Sequence, residues 1–353
     1  MNKNKLTLLI DGNWLLMSRL SAIINKYPEE ELVTELQLLI TRSIKLVLKQ
    51  FNCIDNIILC IDGGSWRNKL DNSDILDTDG NVIEYKGTRE KSEDVPWDKI
   101  FEGFDELCGI YKRNGINVFK EHEIEGDDWI WYWSNRLNNE GINCMIWSMD
   151  NDLKQLVKMN QDKCFTVLWN STHGFFCTEY SDDIMNFLFN IEYDTNSQLL
   201  STLFNNQSVT EVNPKEIVID KIIRGDQSDN IHPIIVRKPK SPTATRKYKI
   251  SQKDIDYNMN FKNDESVSSF ISNIFTSSKY HGKIYETSVN EIFRHFQYNR
   301  QLVFLDKSSY PQYILDIFSE YNNYQLSVST NIYDCEQELF MKKNKLNGIL
   351  NII

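Results

Sequence analysis

The chain has 353 residues, of which 41% are hydrophobic and 12% aromatic, so it can bury two ordinary domain cores and is not a disordered protein. The formal net charge of −11 argues against a nucleic-acid partner, unless cations bound among clustered acids neutralise much of it. The seven cysteines form no CxxC pair, and no apolar run reaches the roughly 18 residues of a membrane helix. We therefore expect a monomeric cytoplasmic protein without a membrane partner.

Apolar strand-like runs alternate with amphipathic helical patterns in the first half of the chain, which is typical of a parallel α/β sheet. Strands are predicted at LTLLID, NIILCID, INVFK and NCMIWSM, and helices in most of the intervening segments. An antiparallel edge hairpin is predicted at CFTVLWN and GFFCTEY. We therefore predict an α/β domain over residues 1–180, with a mostly parallel central sheet and flanking helices.

The segment 63–96 is polar and rich in helix breakers, and a loop of this length inside a compact domain is usually functional. It contains an aromatic ring and two cations in close succession, namely Tyr85, Lys86 and Arg89. Such a set can hold a phosphate and stack a base, although a solvated charged loop is the plainer interpretation. Trp66 and Arg67 lie at the foot of the segment, where a tryptophan is more often a packing anchor than a stacking platform.

After residue 180 the pattern becomes mostly helical, so we predict a helical C-terminal domain over residues 181–353. A helix is predicted to break at Gly225, before the acidic sequence GDQSDN. A loop rich in proline, serine and lysine follows, and its cations include Arg237, Lys238 and Lys240. Local positive charge of this kind matters more for a polyanion than the total charge does.

Nine carboxylates stand along the chain in short clusters, several of them at the ends of predicted strands. They are Asp11, Asp62, Glu125, Asp127, Asp128, Asp150, Asp152, Asp226 and Asp229. The carboxyl ends of parallel strands meet at one edge of a sheet, where an α/β protein builds its site. Carboxylates gathered there repel each other unless a cation lies between them, and hard divalent cations prefer oxygen ligands. The sequence therefore predicts a divalent-metal site.

Each cluster also has a plainer interpretation. Glu125, Asp127 and Asp128 open a predicted helix, where carboxylates cap free N–H groups. The Asp150–Asp152 pair fits an ordinary polar turn, as does the Asp226–Asp229 pair. Only the ordered combination of the clusters makes the metal site the better hypothesis.

The ordered clusters resemble the flap endonuclease family of structure-specific 5′ nucleases, and especially its T-even bacteriophage members with RNase H activity. The resemblance is carried by LLIDGN, LCID, WR followed by YKGTR, IEGDD, SMDNDLKQL and IIRGDQSDNI, in that order. It covers most of the chain, since YNRQLVFLD and the helix after it also match. Each motif is modest alone, whereas the ordered set is highly specific.

The resemblance implies a metal-dependent 5′–3′ exonuclease and flap endonuclease that removes RNA primers and 5′ flaps during lagging-strand replication of a bacteriophage. It implies two Mg²⁺ ions, with Mn²⁺ as a substitute, and a helix–turn–helix-type DNA-binding element in the second domain. One ion would be held by Asp11, Asp62, Glu125 and Asp127, and the other by Asp128, Asp150, Asp152 and Asp226 or Asp229.

The implied catalytic cations are Lys86 and Arg89, which would offset charge on the scissile phosphate. The remaining implied nucleic-acid contacts are Trp66, Arg67, Tyr85, Arg237, Lys238 and Lys240. DNA and RNA–DNA hybrids are the implied substrates, and a single-strand DNA-binding protein and a sliding clamp are the implied protein partners.

Two departures from the family pattern bear on these expectations. Many members follow the last aspartates with a GxxGIGxK loop that binds potassium, whereas this chain has IHPIIVRKPKSPTATRK. Lysine and arginine side chains would therefore grip the duplex here. The family's basic arch is also interrupted by an acidic insert over residues 71–80, DNSDILDTDG.

Three other functions fit parts of the pattern. A haloacid-dehalogenase-like phosphatase needs DxDx[TV], but Asp11 is followed by Asn13 and no Thr or Val closes the motif. A non-catalytic flap- or junction-binding module would not need an acid at every ligand position. A small PIN-like RNase shares the sheet but not the long excursion and the helical second half.

Overall fold

The computed structural model describes residues 6–77, 79–88, 94–160, 164–179, 184, 188, 208–239 and 248–344. The chain divides into two compact units, and each is assembled from separate stretches of sequence. The first unit comprises Met1–Ser65, Ser92–Val212 and Asp316–Ile353, and the second comprises Trp66–Lys91 and Asn213–Leu315. These units do not coincide with the predicted contiguous domains 1–180 and 181–353.

A single sheet forms the centre of the first unit. Its strands are β1 (Leu6–Asp11), β2 (Ile54–Cys60), β3 (Asn117–Phe119), β4 (Asn143–Trp147), β5 (Lys158–Met159), β6 (Phe165–Asn170), β7 (Gly174–Cys177) and β8 (Val209–Glu211). The order is β3-β2-β1-β4-β6-β7-β8, and β5 pairs with β6. The pairs from β3 across to β6 are parallel, whereas β6–β7 is antiparallel. The mostly parallel sheet and the antiparallel β6–β7 hairpin are therefore confirmed, but β8 pairs with β7 and forms the edge of the sheet in place of the hairpin.

Helices cover the sheet of the first unit. They are α1 (Gly12–Ile23), α2 (Glu29–Gln50), α3 (Trp97–Arg113), α4 (Gly126–Asn139) and, after the second unit, α9 (Ile332–Lys343). Every residue of β1 is buried, as expected for a central parallel strand covered on both faces. The last helix belongs to this unit because Ile332, Cys335 and Leu339 are fully buried in its core. The Glu336 carboxylate also pairs with Lys45 on α2.

The second unit is mainly helical. It contains α5 (Pro214–Arg224), α6 (Asp264–Thr276), α7 (Val289–Val303) and the first part of α8 (Gln312–Glu320), with a two-stranded antiparallel ribbon of β9 (Val236–Arg237) and β10 (Tyr248–Lys249). The helical character predicted for the second half is confirmed. In the position of the predicted helix–turn–helix, the described residues form a helix, an acidic turn and this ribbon.

The excursion after β2 packs within the second unit. Ile75 and Ile83 are buried in its core. The segment is therefore held by apolar contacts that its mainly polar composition did not indicate. Around these two isoleucines, Leu76 and Val82 form an antiparallel bridge, and the Asp74 carboxylate pairs with Arg294 on α7 at 2.7 Å. The acidic insert is therefore a folded turn.

No helix in the described part of the chain is long and apolar enough to cross a membrane.

Candidate active site

Three neighbouring parallel strands deliver an aspartate each to the carboxyl edge of the first unit's sheet. Asp11 is the last residue of β1 and is paired in register with Cys60 of β2. On the other side, Ile10 is paired with Trp147, the last residue of β4. Asp62 follows β2 by two residues, and Asp150 follows β4 by three. The strand order reverses at β1, which is the position where α/β sheets bind their ligands.

Asp11 is the most buried of these aspartates, with 7% of its surface exposed. Its Oδ1 accepts a hydrogen bond from the backbone N–H of Trp14 at 2.9 Å and so caps α1. Its Oδ2 accepts one from the Ser148 hydroxyl at 2.7 Å. Burial, helped by the nearby charges of Asp62 and Asp150, raises the pKa of Asp11 to about 7. A cation at this edge would favour the ionised form.

Asp62 lies against the start of α4. The backbone N–H of Gly126 donates to Asp62 Oδ1 at 2.6 Å, so the carboxylate faces the positive end of the helix. The approach is fixed by Gly63, whose N–H donates to the Ile124 carbonyl at 2.8 Å. A side chain at Gly63 would lie 1.7 Å from the Glu121 carbonyl oxygen, so only glycine fits.

The acids at the start of α4 have different surroundings. Glu125 and Asp128 form a capping box, in which Asp128 Oδ2 accepts the Glu125 N–H at 3.1 Å. Asp128 has 0% of its surface exposed, so its carboxylate supports the helix start from inside. Asp127 is half-buried. The pKa of the Cys60 thiol is raised mainly by burial, then by the charge of Asp11 and then by that of Asp127. Asp127 therefore lies close to the edge occupied by Asp11.

The Asp150–Asp152 pair forms a tight turn after β4. Asp150 is exposed, and its Oδ1 accepts the backbone N–H of Asp152 at 2.8 Å. The Asp150 N–H donates to the Ser148 hydroxyl oxygen at 2.9 Å. The polar turn that the sequence offered as the plainer interpretation is thus present, and it places the Asp150 carboxylate near Asp11.

Two positioning residues were missed by the sequence analysis. Ser148 connects Asp11 with the backbone of Asp150, and the side-chain Oδ1 of Asn13 accepts a hydrogen bond from the backbone N–H of Asp62 at 3.0 Å. Both residues lie two positions from a predicted acid, in SMD and DGN, and this proximity was the one feature of the sequence that could have indicated their role. Their partners lie far away in sequence, at separations of 137 and 49 residues, which local patterns do not reveal.

The acids of the first unit supply hard oxygen donors, as a divalent cation requires. Within the described residues, however, no three or more His, Cys, Asp or Glu side chains are grouped closely enough to hold a metal ion. A hard divalent cation that keeps several of its waters takes only one or two carboxylates as direct ligands.

The second unit brings Asp226, Asp229 and Lys221 together. The Lys221 ammonium lies 2.9 Å from Asp226 and 3.8 Å from Asp229. Burial opposes ionisation of Asp226, but hydrogen bonds from Ser228 and the charge of Lys221 outweigh it and lower the pKa to about 2. The turn follows Gly225, which has a φ of 67° and ends α5 where the sequence predicted. The assignment of both acids as metal ligands stays a prediction.

The predicted nucleic-acid contacts in the excursion fall into two groups. Trp66 and Arg67 are only 1% and 3% exposed, and the Arg67 Nε donates to the Leu302 carbonyl at 2.9 Å. This burial favours the packing role and not a contact with nucleic acid. Lys86 is half-buried with its ammonium 4.8 Å from the centre of the Tyr85 ring. Arg89 lies outside the described residues.

The β9–β10 ribbon carries the other predicted contacts. Arg237 is paired with Tyr248, and its guanidinium lies 5.4 Å from the centre of the Tyr280 ring. Lys238 is exposed, with its ammonium 5.9 Å from the centre of the Tyr285 ring. Lys240 lies outside the described residues. Cations held over aromatic rings in this way can meet a phosphate backbone.

Comparisons with known proteins agree with this architecture. Residues 6–182 match the family described as "5′-3′ exonuclease, N-terminal resolvase-like domain". A 5′-3′ exonuclease of Mycoplasmopsis pulmonis is 27% identical over 232 residues, which is 65% of this chain and 62% of the relative. The match therefore spans less than two thirds of that relative's length.

Two solved structures share the fold. The D15 protein of bacteriophage T5, co-crystallised with metal ions, has a TM-score of 0.52 and 17% identity over 90% of this chain and 98% of that one. The T5 5′-exonuclease with bound zinc has a TM-score of 0.51 and 16% identity over 95% of this chain and 98% of that one. At these identities the likeness concerns the fold alone.

Proposed function

Because this chain belongs to the family of 5′-3′ exonucleases with an N-terminal resolvase-like domain, we propose that it is a divalent-metal-dependent, structure-specific 5′ nuclease. Its substrates are DNA and RNA–DNA hybrids with 5′ flaps, nicks or primer ends. The observation that carries the proposal is the meeting of Asp11, Asp62 and Asp150 at three adjacent strand ends. The finer role is removal of RNA primers and 5′ flaps in bacteriophage replication.

The metal of the proposal is Mg²⁺, as two ions for which Mn²⁺ can substitute. Two proteins that share the fold have been solved with metal ions, and this chain offers the oxygen donors that hard divalent cations prefer. Asp11, Asp62, Glu125 and Asp127 would hold one ion, and Asp150 and Asp152 the other. Asp128 has no exposed surface and its Oδ2 accepts the Glu125 N–H, so it would support the ligands from inside the helix start. When bound, such ions activate a water and stabilise the leaving oxygen.

The chain's own residues prepare this chemistry. Ser148 fixes the orientation of the Asp11 carboxylate and the backbone of Asp150, so two acids from different strands share one support. The helix start at Gly126 fixes Asp62 from the other side. In the second unit, Lys86 would supply positive charge that offsets the negative charge of a substrate phosphate. Asp11 and Asp62 are thus held before a cation arrives, which limits the cost of assembly.

The proposal extends to protein partners and location. A single-strand DNA-binding protein and a sliding clamp would bring the nuclease to flaps and primer ends, and the site of action would be the host cytoplasm. Stimulation of cleavage on a primed template by either partner is the direct measurement.

The acid cluster is tested by replacing one carboxylate with an amide of the same shape. Asp62→Asn should lower cleavage of a 5′ flap by roughly a hundredfold while flap binding is retained, because metal support is lost and duplex contacts are not. Asp98→Asn, which removes one exposed acid from the first turn of α3, is the matched control and should cleave like the parent. Equal activity of the two variants would exclude Asp62 from the site.

A further inference from the structure

A turn over residues 84–87 holds Lys86 in a backbone conformation that lysine rarely adopts. The Gly87 N–H donates to the Glu84 carbonyl at 3.1 Å and closes the turn, in which Lys86 has a φ of 57°. A positive φ is uncommon for a residue other than glycine, and it persists where surrounding contacts impose it. The position of Lys86 therefore depends on contacts from outside the turn.

Those contacts come from two consecutive residues of the same unit, Asp229 and Asn230. The Lys86 N–H donates to the Asp229 carbonyl at 2.9 Å. The Asn230 Nδ2 donates to the Glu84 carbonyl at 2.8 Å, the same oxygen that accepts the Gly87 bond. Asn230 has a φ of 55°, which asparagine tolerates better than most residues. The end of the acidic turn is thus bonded to the first and third residues of the Lys86 turn, Glu84 and Lys86.

Asn230 is itself held from the core of the second unit. Its Oδ1 lies 3.3 Å from the Nε2 of His232. The His232 carbonyl accepts a hydrogen bond from Asn299 Nδ2 at 2.8 Å, and the same amide donates to the Ile222 carbonyl at 2.9 Å. Asn299 lies on α7 and is 1% exposed. A chain of hydrogen bonds therefore connects a buried helix with the turn that carries Lys86.

We infer that Asn230 is a positioning residue for Lys86: its amide fixes the turn and thereby sets where the lysine ammonium meets a substrate phosphate. The inference rests on the proposed function, in which Lys86 offsets charge on that phosphate. Asn230 acts through Lys86 and needs no contact of its own with nucleic acid. Its side chain should therefore matter only while Lys86 is present.

Two substitutions separate the amide from the backbone conformation. Asn230→Gly keeps the positive φ without strain and removes the bonds to Glu84 and His232. Asn230→Asp keeps the shape and the acceptor beside His232 but removes the N–H donor to Glu84. Asn263→Ala is the stability control, because it removes a cap of α6, whose Oδ1 accepts the Ser266 N–H at 2.8 Å, without touching the turn.

We expect Asn230→Gly and Asn230→Asp each to lower kcat on a 5′ flap on the order of tenfold, within the coupling range of residues that share one network. Both should also reduce the salt slope of flap binding by about one, as Lys86→Ala should, because the phosphate contact is misplaced. In a Lys86→Ala background, Asn230→Gly should change kcat less than about twofold. Asn263→Ala should lower the melting temperature and leave kcat and the slope unchanged.

Three outcomes would overturn the inference. If Lys86→Ala is impaired and the two losses multiply in the double variant, Asn230 acts independently of Lys86, and the nuclease proposal stands. If Asn230→Gly and Asn230→Asp cleave like the parent, the Asn230 amide does not position Lys86, and the nuclease proposal again stands. If Lys86→Ala itself changes neither kcat nor the slope, the proposed role of Lys86 is wrong and the inference fails with it.

Discussion

The buried Asp11 carboxylate lowers the stability of the metal-free protein and is also a ligand of the proposed metal site. Asp11 needs its negative charge for a cation, yet burial, with the charges of Asp62 and Asp150, raises its pKa from 3.8 to about 7. Between these two pH values the folded protein keeps a proton that the unfolded chain has released. The metal-free protein should therefore lose stability as pH rises from about 4 to about 7.

The raised pKa of Asp11 predicts opposite effects of one substitution on stability and activity. In EDTA at pH 8, Asp11→Asn should raise the melting temperature by about a few degrees, because a neutral amide keeps the cap of α1 without the buried charge. At pH 4 the gain should vanish, and flap cleavage should be lost at every pH. Melting curves against pH check the prediction, and an equal shift at both pH values would contradict it.

At the residue scale, the positions of the acids at strand ends could be predicted from the sequence, but the residues that hydrogen-bond to them could not. Asp11, Asp62 and Asp150 follow apolar runs that end visibly in the sequence, so their meeting at one edge follows from strand order alone. Ser148 and Asn13 act through hydrogen bonds to strands elsewhere in the chain. Asn230 holds a turn 146 residues away in sequence, which no local pattern indicates.

At the scale of elements, the β9–β10 ribbon stands where a helix–turn–helix was predicted. Its exposed cations include Lys238 and Lys249, and the neighbouring segment adds Lys283. The Lys238 N–H donates to the Lys283 carbonyl at 2.8 Å, so this segment borders β9. The strands are two residues long, too short for periodicity to detect, whereas the cluster of lysines and arginines was visible in the sequence.

The ribbon should bind the phosphate backbone of duplex DNA. Lys238→Ala and Lys249→Ala should each weaken binding similarly for all duplex sequences and reduce the salt slope by about one. Lys262→Ala is the matched control, because its ammonium is already paired with Asp306 at 3.1 Å. Binding measured between low and moderate salt checks the prediction. A slope that is the same in all three variants and the parent would remove the ribbon from the duplex contact.

At the scale of the whole molecule, the division into two units, each built from separate stretches of the chain, could not be predicted from the sequence. Periodicity identifies strands and helices, but it does not reveal that 66–91 shares a core with 213–315, or that α9 returns to the first unit. Those pairings depend on a few buried side chains such as Ile75, Ile83 and Leu339. The predicted change from α/β to helical character was a change of composition, and it is confirmed.

The net charge of the whole molecule is also a poor guide to whether it binds nucleic acid. The total of −11 includes acids collected at the sheet edge, where bound cations would offset them. Positive charge is concentrated in short segments, and a phosphate backbone responds to the local field. An acidic nuclease is therefore physically consistent, provided that its activity depends on divalent cations.

Cleavage of a 5′-labelled flap by the parent and by Asp150→Asn, with and without divalent cations, is the decisive measurement for a metal-dependent 5′ nuclease. We expect short 5′ products in Mg²⁺ or Mn²⁺, no products in EDTA, and a loss of roughly a hundredfold in the variant. Structure-selective binding of the flap without cleavage in either metal would show that the protein is not such a nuclease, and equal cleavage by the variant and the parent would exclude Asp150 from the site.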